Sequence, residues 1–262
     1  MTIRAKDKKW VLSSRDIWRG YTCQHCTDLA MAVATKDPIA MAKVAEHESD
    51  PSGELRIIQG KDYEAMLMAQ LRNNIPTAEF VELEEFSPVE KTKAALLSKP
   101  MAIAQAGLEK DYGEILLVGY ADLMVRDDFE PGVAEDGTFT LVSSGKEYSG
   151  YTVWDVKHNA NAKEDHFFQV GGYVECIAQL GVLSKHGKSG VITRTKEAVG
   201  RDSSELTEGF EKASLELFAY LRRNSPEDFQ HSEEFVYECV PVSLCKKVYC
   251  EYPTLCEEER YN

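Results

Sequence analysis

The chain has 262 residues, and its 30 Lys and Arg against 44 Asp and Glu give a formal net charge of −14, which disfavours a protein that coats nucleic acid through a generally basic surface. Hydrophobic residues (43%) and charged residues (28%) occur in the proportions of a globular protein and exclude a disordered or collagen-like chain. A chain of this length buries a sizeable core without disulfide bonds, and we predict a single domain over residues 1–262.

The sequence pattern does not favour a membrane protein or a secreted one. No run approaches the roughly 18 apolar residues that a membrane-spanning helix requires. The basic segment at the start is not followed by the apolar stretch of a secretory signal. We therefore expect a cytoplasmic protein with no membrane partner, and in a reducing compartment its seven cysteines favour a metal site over disulfides.

The N-terminal part, residues 13–60, is predicted to be helical. Residues 13–16 (SSRD) have the composition of a helix start, and apolar helical stretches follow at 29–33 and 38–46. A turn is expected at the segment SDPSGE. Beyond it, residues 62–71 form a predicted helix with one apolar face, made of Tyr63, Met66, Leu67 and Leu71.

From residue 114 onwards the pattern favours strands. Residues 114–125 read as a buried strand or pair of strands, and the polar stretch 126–150 is typical of a hairpin or a surface insertion. The following predicted elements are a strand at 151–157, a helix at 165–179 closed by Gly181, and a strand at 191–193. An amphipathic helix at 208–222 turns inward Phe210, Leu217, Phe218 and Leu221. This order predicts an α/β fold with a small mixed sheet flanked by helices.

Two charged residues of the predicted strand 151–157 (YTVWDVK) indicate a polar site. Asp155 and Lys157 are two residues apart, so their side chains project from one face while Val156 faces the other way. Asp122 lies in the apolar segment GYADLMV, where an unpaired carboxylate is costly unless a cation or hydrogen bonds compensate it. A metal ion is one such cation.

A second pair lies on the predicted helix 165–179, where Gln169 and Tyr173 are four residues apart and share a face close to the end of the Asp155 strand. Two carboxylates with a backbone carbonyl and open positions for water suit Mg²⁺ or Mn²⁺ better than a metal that prefers thiolates. Such an ion would polarise a phosphoryl oxygen and lower the pKa of a bound water, while Lys157 would orient that water or stabilise the developing negative charge. We therefore expect a site for phosphodiester hydrolysis.

The segments GYADLMV, WDVK and QVGGY occur in the order G-x-x-D, D-x-K and Q-x-x-x-Y on a strand, a strand and a helix. In this the chain resembles the PD-(D/E)xK nucleases, and among them the RecB-like exonucleases that include CRISPR-associated and helicase-fused enzymes. The resemblance implies a restriction-endonuclease-like core as the catalytic part, residues 61–200. It further implies metal ligands, a catalytic lysine and substrate-binding side chains, which are Asp122, Asp155 and the carbonyl of Val156; Lys157; and Gln169 with Tyr173.

Relatives of this kind place an acidic or histidine residue on an earlier helix, after a glycine. The matching segment here is GKDYEAML, in which the resemblance implies Glu64 as a further catalytic and metal-binding residue. Tyr63 and Glu64 stand where some relatives have histidine. His158 and His166 flank the site, and we interpret them as surface or supporting histidines rather than general bases.

The cysteines extend the resemblance to both ends of the chain. Several RecB-like nucleases hold a 4Fe–4S cluster with one cysteine near the start and three in a C-terminal group, here within residues 201–262, and four thiolates are what such a cluster requires. The implied ligands are Cys23, Cys245, Cys250 and Cys256, with Cys26 as the alternative to Cys23. Structural zinc is the alternative metal, held by Cys23, Cys26, Cys245 and Cys250. Two further cysteines are expected to pack in apolar surroundings, Cys176 and Cys239.

The sequence thus predicts a Mg²⁺- or Mn²⁺-dependent DNA nuclease, an exonuclease on single strands or duplex ends in DNA repair, recombination or defence against foreign DNA. The alternative is a non-catalytic, metal-stapled module that binds DNA or protein within a helicase–nuclease complex. Because phosphate binding draws on Lys and Arg, a net charge of −14 opposes a DNA substrate unless a local basic groove exists. Residues available for such a groove are Arg72, Lys91, Lys93, Lys99, Lys185, Lys188, Arg194 and Lys196.

Overall fold

The computed structural model of the chain describes residues 3–22, 24–45 and 51–229. Two compact units are distinguished in it. Of the described residues, the first comprises 3–22, 24–45, 111–117 and 211–229, and the second comprises 51–110 and 118–210. Every predicted catalytic, metal-binding and substrate-binding residue other than the cysteines belongs to the second unit.

Strands and helices follow one another in an α/β order along the described residues. The elements are β1 (Arg4–Lys6), β2 (Lys9–Leu12), α1 (Ser14–Thr22), α2 (Gln24–Ala34), α3 (Pro38–Ala45), α4 (Pro51–Asn74), β3 (Phe80–Glu82), α5 (Val89–Leu96), β4 (Ala102–Asp111), β5 (Ile115–Arg126), β6 (Phe129–Val133), β7 (Phe139–Ser143), β8 (Tyr151–Val156), α6 (Glu164–Gln179), β9 (Lys188–Ile192), β10 (Ala198–Asp202) and α7 (Ser203–Arg223).

In the first unit, β1 and β2 form an antiparallel pair, and β2 runs parallel to the start of β5, with Trp10 opposite Ile115. The helix start predicted at residues 13–16 is confirmed. Ser13 N–H donates to Asp16 Oδ2 at 2.8 Å, and Asp16 N–H donates to Ser13 Oγ at 3.3 Å. This reciprocal cap satisfies donors at the N-terminus of α1. The helices predicted at 29–33 and 38–46 correspond to α2 and α3.

The second unit contains a mixed sheet in the order β3-β4-β5-β8-β9-β10. β3 runs parallel to β4 and β8 parallel to β9, whereas β5 is antiparallel to β8 and β9 antiparallel to β10. Helix α6 packs on β8 and β9. The predicted α/β class with a mixed sheet flanked by helices is confirmed, and the hairpin predicted within 126–150 is present as β6 and β7.

The core of the second unit contains the apolar residues of α4 and of the sheet strands. The helix predicted at 62–71 is part of the longer α4, which begins at Pro51, inside the segment expected to be a turn. Proline suits the first position of a helix, because it has no N–H to leave unpaired and its φ is already helical. Buried core members include Leu67, Leu71, Phe80, Leu123, Trp154, Val156 and Ile192.

One residue of the predicted apolar face of α4 is not buried. Tyr63, Leu67 and Leu71 are buried as predicted, but Met66 is 40% exposed and Met68 is buried instead. The row formed by Tyr63, Leu67 and Leu71 is inclined to the helix axis, so the residues on its two sides differ in burial. Met68 lies on the side that faces the core, and Met66 lies on the side that faces solvent.

Both C-terminal helices are present where predicted, although α7 begins at Ser203, before the predicted start at residue 208. Gly181 closes α6 with φ at 73°, and its N–H donates to Ala178 O while Val182 N–H donates to Ile177 O. This Schellman arrangement uses the glycine as predicted. On α7 the four residues expected to turn inward are buried, namely Phe210, Leu217, Phe218 and Leu221. Among the described residues, every helix is too short or too polar to span a lipid bilayer.

Candidate active site

The two aspartates of the predicted site lie at one end of the ladder between β5 and β8. The antiparallel pairing sets Leu123 opposite Trp154. Asp122 precedes Leu123 and Asp155 follows Trp154, so the two carboxylates occupy neighbouring places on the sheet. Val156 N–H donates to Asp122 Oδ2 at 2.6 Å, which holds this carboxylate against β8.

Lys157 faces Asp155, as the two-residue spacing predicts. Its Nζ lies 2.5 Å from Asp155 Oδ2, and the side chains are 25% and 1% exposed. Val156 between them packs in the apolar core. The alternation of side chains therefore places a buried carboxylate and its ammonium partner on the side of β8 opposite Val156.

Glu64 reaches the same cluster from α4. Its Oε1 accepts a hydrogen bond from Gln105 Nε2 of β4. Gln105 is the one residue of β4 in the left-handed region, with φ at 56°, and buried Ala104 and Ala106 flank it. This unusual backbone turns a carboxamide out of an apolar strand and towards Glu64. The structure thus brings together Glu64, Asp122, Asp155 and Lys157.

The carboxylates of Glu64, Asp122 and Asp155 are close enough to interact electrostatically. Burial raises the pKa of Asp122 well above its ordinary value, and the charges of Asp155 and Glu64 raise it further against the opposing effects of Lys157 and Val156 N–H. Burial also raises the pKa of Glu64, with Asp155 adding to the effect and Lys157 and Gln105 opposing it. A nearby cation would stabilise the ionised forms of these carboxylates, because the negative charge of each one raises the free-energy cost of ionising its neighbours.

Gln169 and Tyr173 meet on α6, as their spacing predicts. Gln169 Nε2 donates to Tyr173 OH at 2.5 Å. Burial raises the pKa of Tyr173 well above its ordinary value, and the charges of Asp155 and Asp122 raise it further. The Tyr173 ring is therefore close enough to the aspartates to sense them, and its hydroxyl stays protonated at neutral pH.

Gly119 explains how the Tyr173 ring fits between α6 and β5. A Cβ at position 119 would lie 2.6 Å from Tyr173 Cε1, closer than carbon atoms can approach. The glycine of the segment GYADLMV thus leaves the space that the aromatic ring of QVGGY occupies. Two parts of the sequence motif depend on each other through this contact.

The histidines have supporting places, but His166 is not on the surface. His166 Nδ1 accepts a hydrogen bond from Lys163 N–H at 3.2 Å at the start of α6, and the residue is buried. Burial lowers the pKa of His166, so its neutral form caps the helix. His158 is half-buried, and its ring lies 5.5 Å from that of Tyr63, whose hydroxyl donates to Thr193 O at 2.7 Å.

The cysteines expected to hold a cluster lie outside the described residues, namely Cys23, Cys245, Cys250 and Cys256, as does Cys239. Cys26, the alternative ligand, is half-buried on α2. Cys176 on α6 is buried, and burial raises the pKa of its thiol. The expectation that Cys176 packs in the core is confirmed.

The chemistry of the described carboxylates fits a hard divalent cation. Asp155 Oδ2 is buried and receives no hydrogen bond of regular geometry from the described residues. An all-oxygen set with open space for water is what Mg²⁺ and Mn²⁺ use. Within the parts of the chain that the structure describes, no three His, Cys, Asp or Glu side chains form a ready-made ligand shell. The Asp155 oxygen faces Lys157 instead.

Several of the basic residues available for a groove are engaged by carboxylates. Arg72 pairs with Glu82, Lys91 with Glu84 and Lys93 with Glu90. Arg194 is exposed on the loop after β9, and its N–H donates to Asn159 O at 2.8 Å. This contact sets the Arg194 loop beside the loop that follows Lys157.

Gln105 is the residue of this site that sequence reasoning missed. Its signal was a lone carboxamide in the apolar run AIAQAGL. A buried polar side chain in a strand requires a hydrogen-bond partner, and such a residue indicates a nearby polar site.

In comparisons with protein-family models and with curated proteins, this chain matches neither a family model nor a curated protein.

Proposed function

We propose that the protein is a divalent-metal-dependent DNA nuclease that hydrolyses phosphodiester bonds. The observation that carries the proposal is the ion pair of buried Asp155 with Lys157, set beside Asp122 and Glu64. Residues from α4, β5 and β8 converge there, although they are far apart in the chain. A lysine paired with a buried aspartate in a three-carboxylate cluster has the charges needed to bind a metal and a phosphate together.

Each side chain of the site has a role in this proposal. Asp122, Asp155 and Glu64, with the carbonyl of Val156, would hold Mg²⁺ or Mn²⁺, which supplies polarisation of the phosphate and a water of lowered pKa. Lys157 would exchange part of its contact with Asp155 for one with a phosphate oxygen and stabilise the charge that develops there. Gln105 orients Glu64 through its hydrogen bond. Gln169 and Tyr173 would position the substrate.

The finer parts of the proposal follow from the motif order. The mixed sheet, with the aspartates on neighbouring strands and the Gln-Tyr pair on the next helix, supports a restriction-endonuclease-like core. We infer an exonuclease on single-stranded DNA or duplex ends, with a helicase or another DNA-processing protein as a partner. A 4Fe–4S cluster on Cys23, Cys245, Cys250 and Cys256, or zinc in its place, belongs to the same proposal.

The direct test is cleavage of end-labelled DNA by the purified chain. We expect degradation with Mn²⁺ or Mg²⁺ and none in EDTA. Asp155→Asn and Lys157→Ala are each expected to lower the rate at least about 100-fold, because each removes a charge that acts on the reacting phosphate. Calorimetric titration with Mn²⁺ gives a second readout, in which Asp155→Asn should bind the ion more weakly.

Glu164→Gln is the matched control for Asp155→Asn. It also turns an ion-paired carboxylate into an amide, since Glu164 Oε1 lies 2.5 Å from Arg201 Nη2, but its side chain is exposed. We expect nearly native activity from it, because exposed ion pairs contribute little. Equal activity in native protein and both site variants would exclude the proposed site. Binding of DNA without cleavage under any divalent ion would favour the non-catalytic module.

A further inference from the structure

Phe86 carries an exposed aromatic ring in the second unit. It is 66% exposed, and its ring meets that of half-buried Tyr120 edge to face, with the ring centroids 5.2 Å apart. We call these two residues the aromatic lip. A single exposed phenylalanine is ordinary, so its backbone and its neighbours decide whether it has a role.

The backbone of Phe86 is left-handed, with φ at 62°. Phe86 is the third residue of a turn that Ser87 N–H closes by donating to Glu84 O at 3.0 Å, and positive φ at this position usually calls for glycine. The Ser87 hydroxyl donates to the same carbonyl at 2.7 Å. Ser87 O packs so closely on Gly107 of β4 that a Cβ would not fit there. An aromatic side chain at a turn position that favours glycine is uncommon, and it motivates a functional hypothesis for Phe86.

Strand β5 connects the aromatic lip to the carboxylates. Tyr120 and Asp122 are two residues apart on this strand, and both are half-buried. Strand geometry separates such positions by about 7 Å. Strand β4 makes a second connection, because it carries Gly107 beneath the turn and Gln105 against Glu64.

The two acidic residues of the turn are balanced by lysines. Lys61 Nζ lies 2.9 Å from Glu85 Oε1, and Lys91 Nζ lies 2.7 Å from Glu84 Oε2. Each pair is neutral overall, so the turn repels a polyanion far less than two free carboxylates would. The lip presents a neutral aromatic surface, which suits a nucleobase better than a phosphate.

We propose that the aromatic lip stacks an unpaired base of single-stranded DNA and so holds the adjoining phosphodiester at the carboxylates. This rests on the proposed nuclease function and assigns the selection of unpaired bases to Phe86 and Tyr120. Stacking on an aromatic ring is tolerant of sequence, because every base has a π face. Bases inside a duplex are already stacked on their neighbours, so the lip selects single strands and unpaired ends.

The test measures the affinity of the full chain for fluorescent oligonucleotides by fluorescence anisotropy. EDTA is present so that metal-dependent cleavage does not occur. The probes are a single-stranded oligothymidylate, an abasic strand of equal length and a blunt duplex. We expect native protein to prefer the oligothymidylate. Phe86→Leu should bind it about tenfold more weakly, since one stacked base is worth about that factor, and should bind the abasic strand as native protein does.

Two further variants make the result specific to stacking. Phe86→Trp keeps an aromatic face and should restore binding of the oligothymidylate. Tyr148→Leu removes another partly exposed aromatic side chain, one that packs near Lys99 and Arg126 instead, and should leave binding of all three probes unchanged. Thermal unfolding of each variant confirms that the fold is retained.

The outcomes separate the lip from the nuclease. Native affinity in Phe86→Leu, or an equal loss for base-bearing and abasic strands, overturns the stacking proposal even if the native chain cleaves DNA. If the native chain never cleaves, yet Phe86→Leu weakens only base-bearing strands, the nuclease proposal fails and the lip stands as a binding site. If the native chain binds none of the probes, the proposal that the aromatic lip binds single-stranded DNA is overturned.

Discussion

At the scale of single residues, Gln105 combines a backbone cost with a polar contact. Its φ of 56° within β4 is unfavourable for a residue with a side chain, by about 1–3 kcal/mol. The hydrogen bond from its carboxamide to Glu64 explains why the position is not glycine. Stability and function therefore make opposite demands on this residue.

This opposition predicts the behaviour of Gln105→Gly. Glycine adopts the left-handed conformation without strain, so we expect the free energy of unfolding to rise or stay level. Metal-dependent DNA cleavage should fall about 10-fold or more, because a hydrogen bond to a charged group is lost and Glu64 is no longer oriented. Urea unfolding and cleavage rates measure the two effects.

Lys36→Gly is the control for that variant. Lys36 also has positive φ, at 64°, and lies two residues after the end of α2, where its N–H donates to Val33 O. The same backbone relief is expected there with unchanged cleavage. A parallel loss of stability and activity in Gln105→Gly would show that Gln105 is structural only.

At the scale of elements, the close packing of α6 on β5 depends on the absence of a side chain at Gly119. A methyl group at this position would overlap the Tyr173 ring. Overpacking of this kind forces side chains or backbone to move and costs about 1–3 kcal/mol. The close approach links the segment with Asp122 to the helix with Gln169 and Tyr173.

Gly119→Ala is therefore expected to lower the free energy of unfolding by about 1–3 kcal/mol and to reduce DNA cleavage, as measured by denaturation and end-label assays. Removing the ring should offset the clash, so Gly119→Ala with Tyr173→Ala should show coupling in a double-mutant cycle. Gly60→Ala on α4 is the control, because nothing lies within 4 Å of its Cβ position. There alanine should stabilise the helix by up to about 1 kcal/mol. Additive effects at positions 119 and 173 would count against the packing explanation.

At the scale of the whole molecule, the proposed cysteine ligand set would draw on both ends of the sequence. We expect anaerobically purified protein to be brown and to contain about four iron and four sulfide per chain. Replacing Cys250 by alanine should abolish the colour and lower stability, whereas Cys176→Ala should keep the colour, because Cys176 is buried on α6. Colourless protein with stoichiometric zinc would select the zinc alternative and leave the nuclease proposal intact.

Local pattern was enough for those parts of the fold whose physics is local. The cap at Ser13, the glycine end of α6 and the inward face of α7 follow from residue type and helical spacing, and the structure confirms them. The pairing of Lys157 with Asp155 follows from strand alternation. Short strands such as β1, β3 and β10 have too few residues for alternation to indicate them, and Pro51 was compatible with a turn and a helix start alike.

The sequence by itself determined an α/β chain and the residue types of the candidate site, because periodicity and motif order depend on neighbours along the chain. Tertiary structure alone decided several contacts between distant residues. The contact of Gln105 with Glu64, the space that Gly119 leaves for Tyr173 and the position of Phe86 beside Tyr120 join separate elements. Such contacts depend on packing between strands and helices, which spacing along a sequence does not encode.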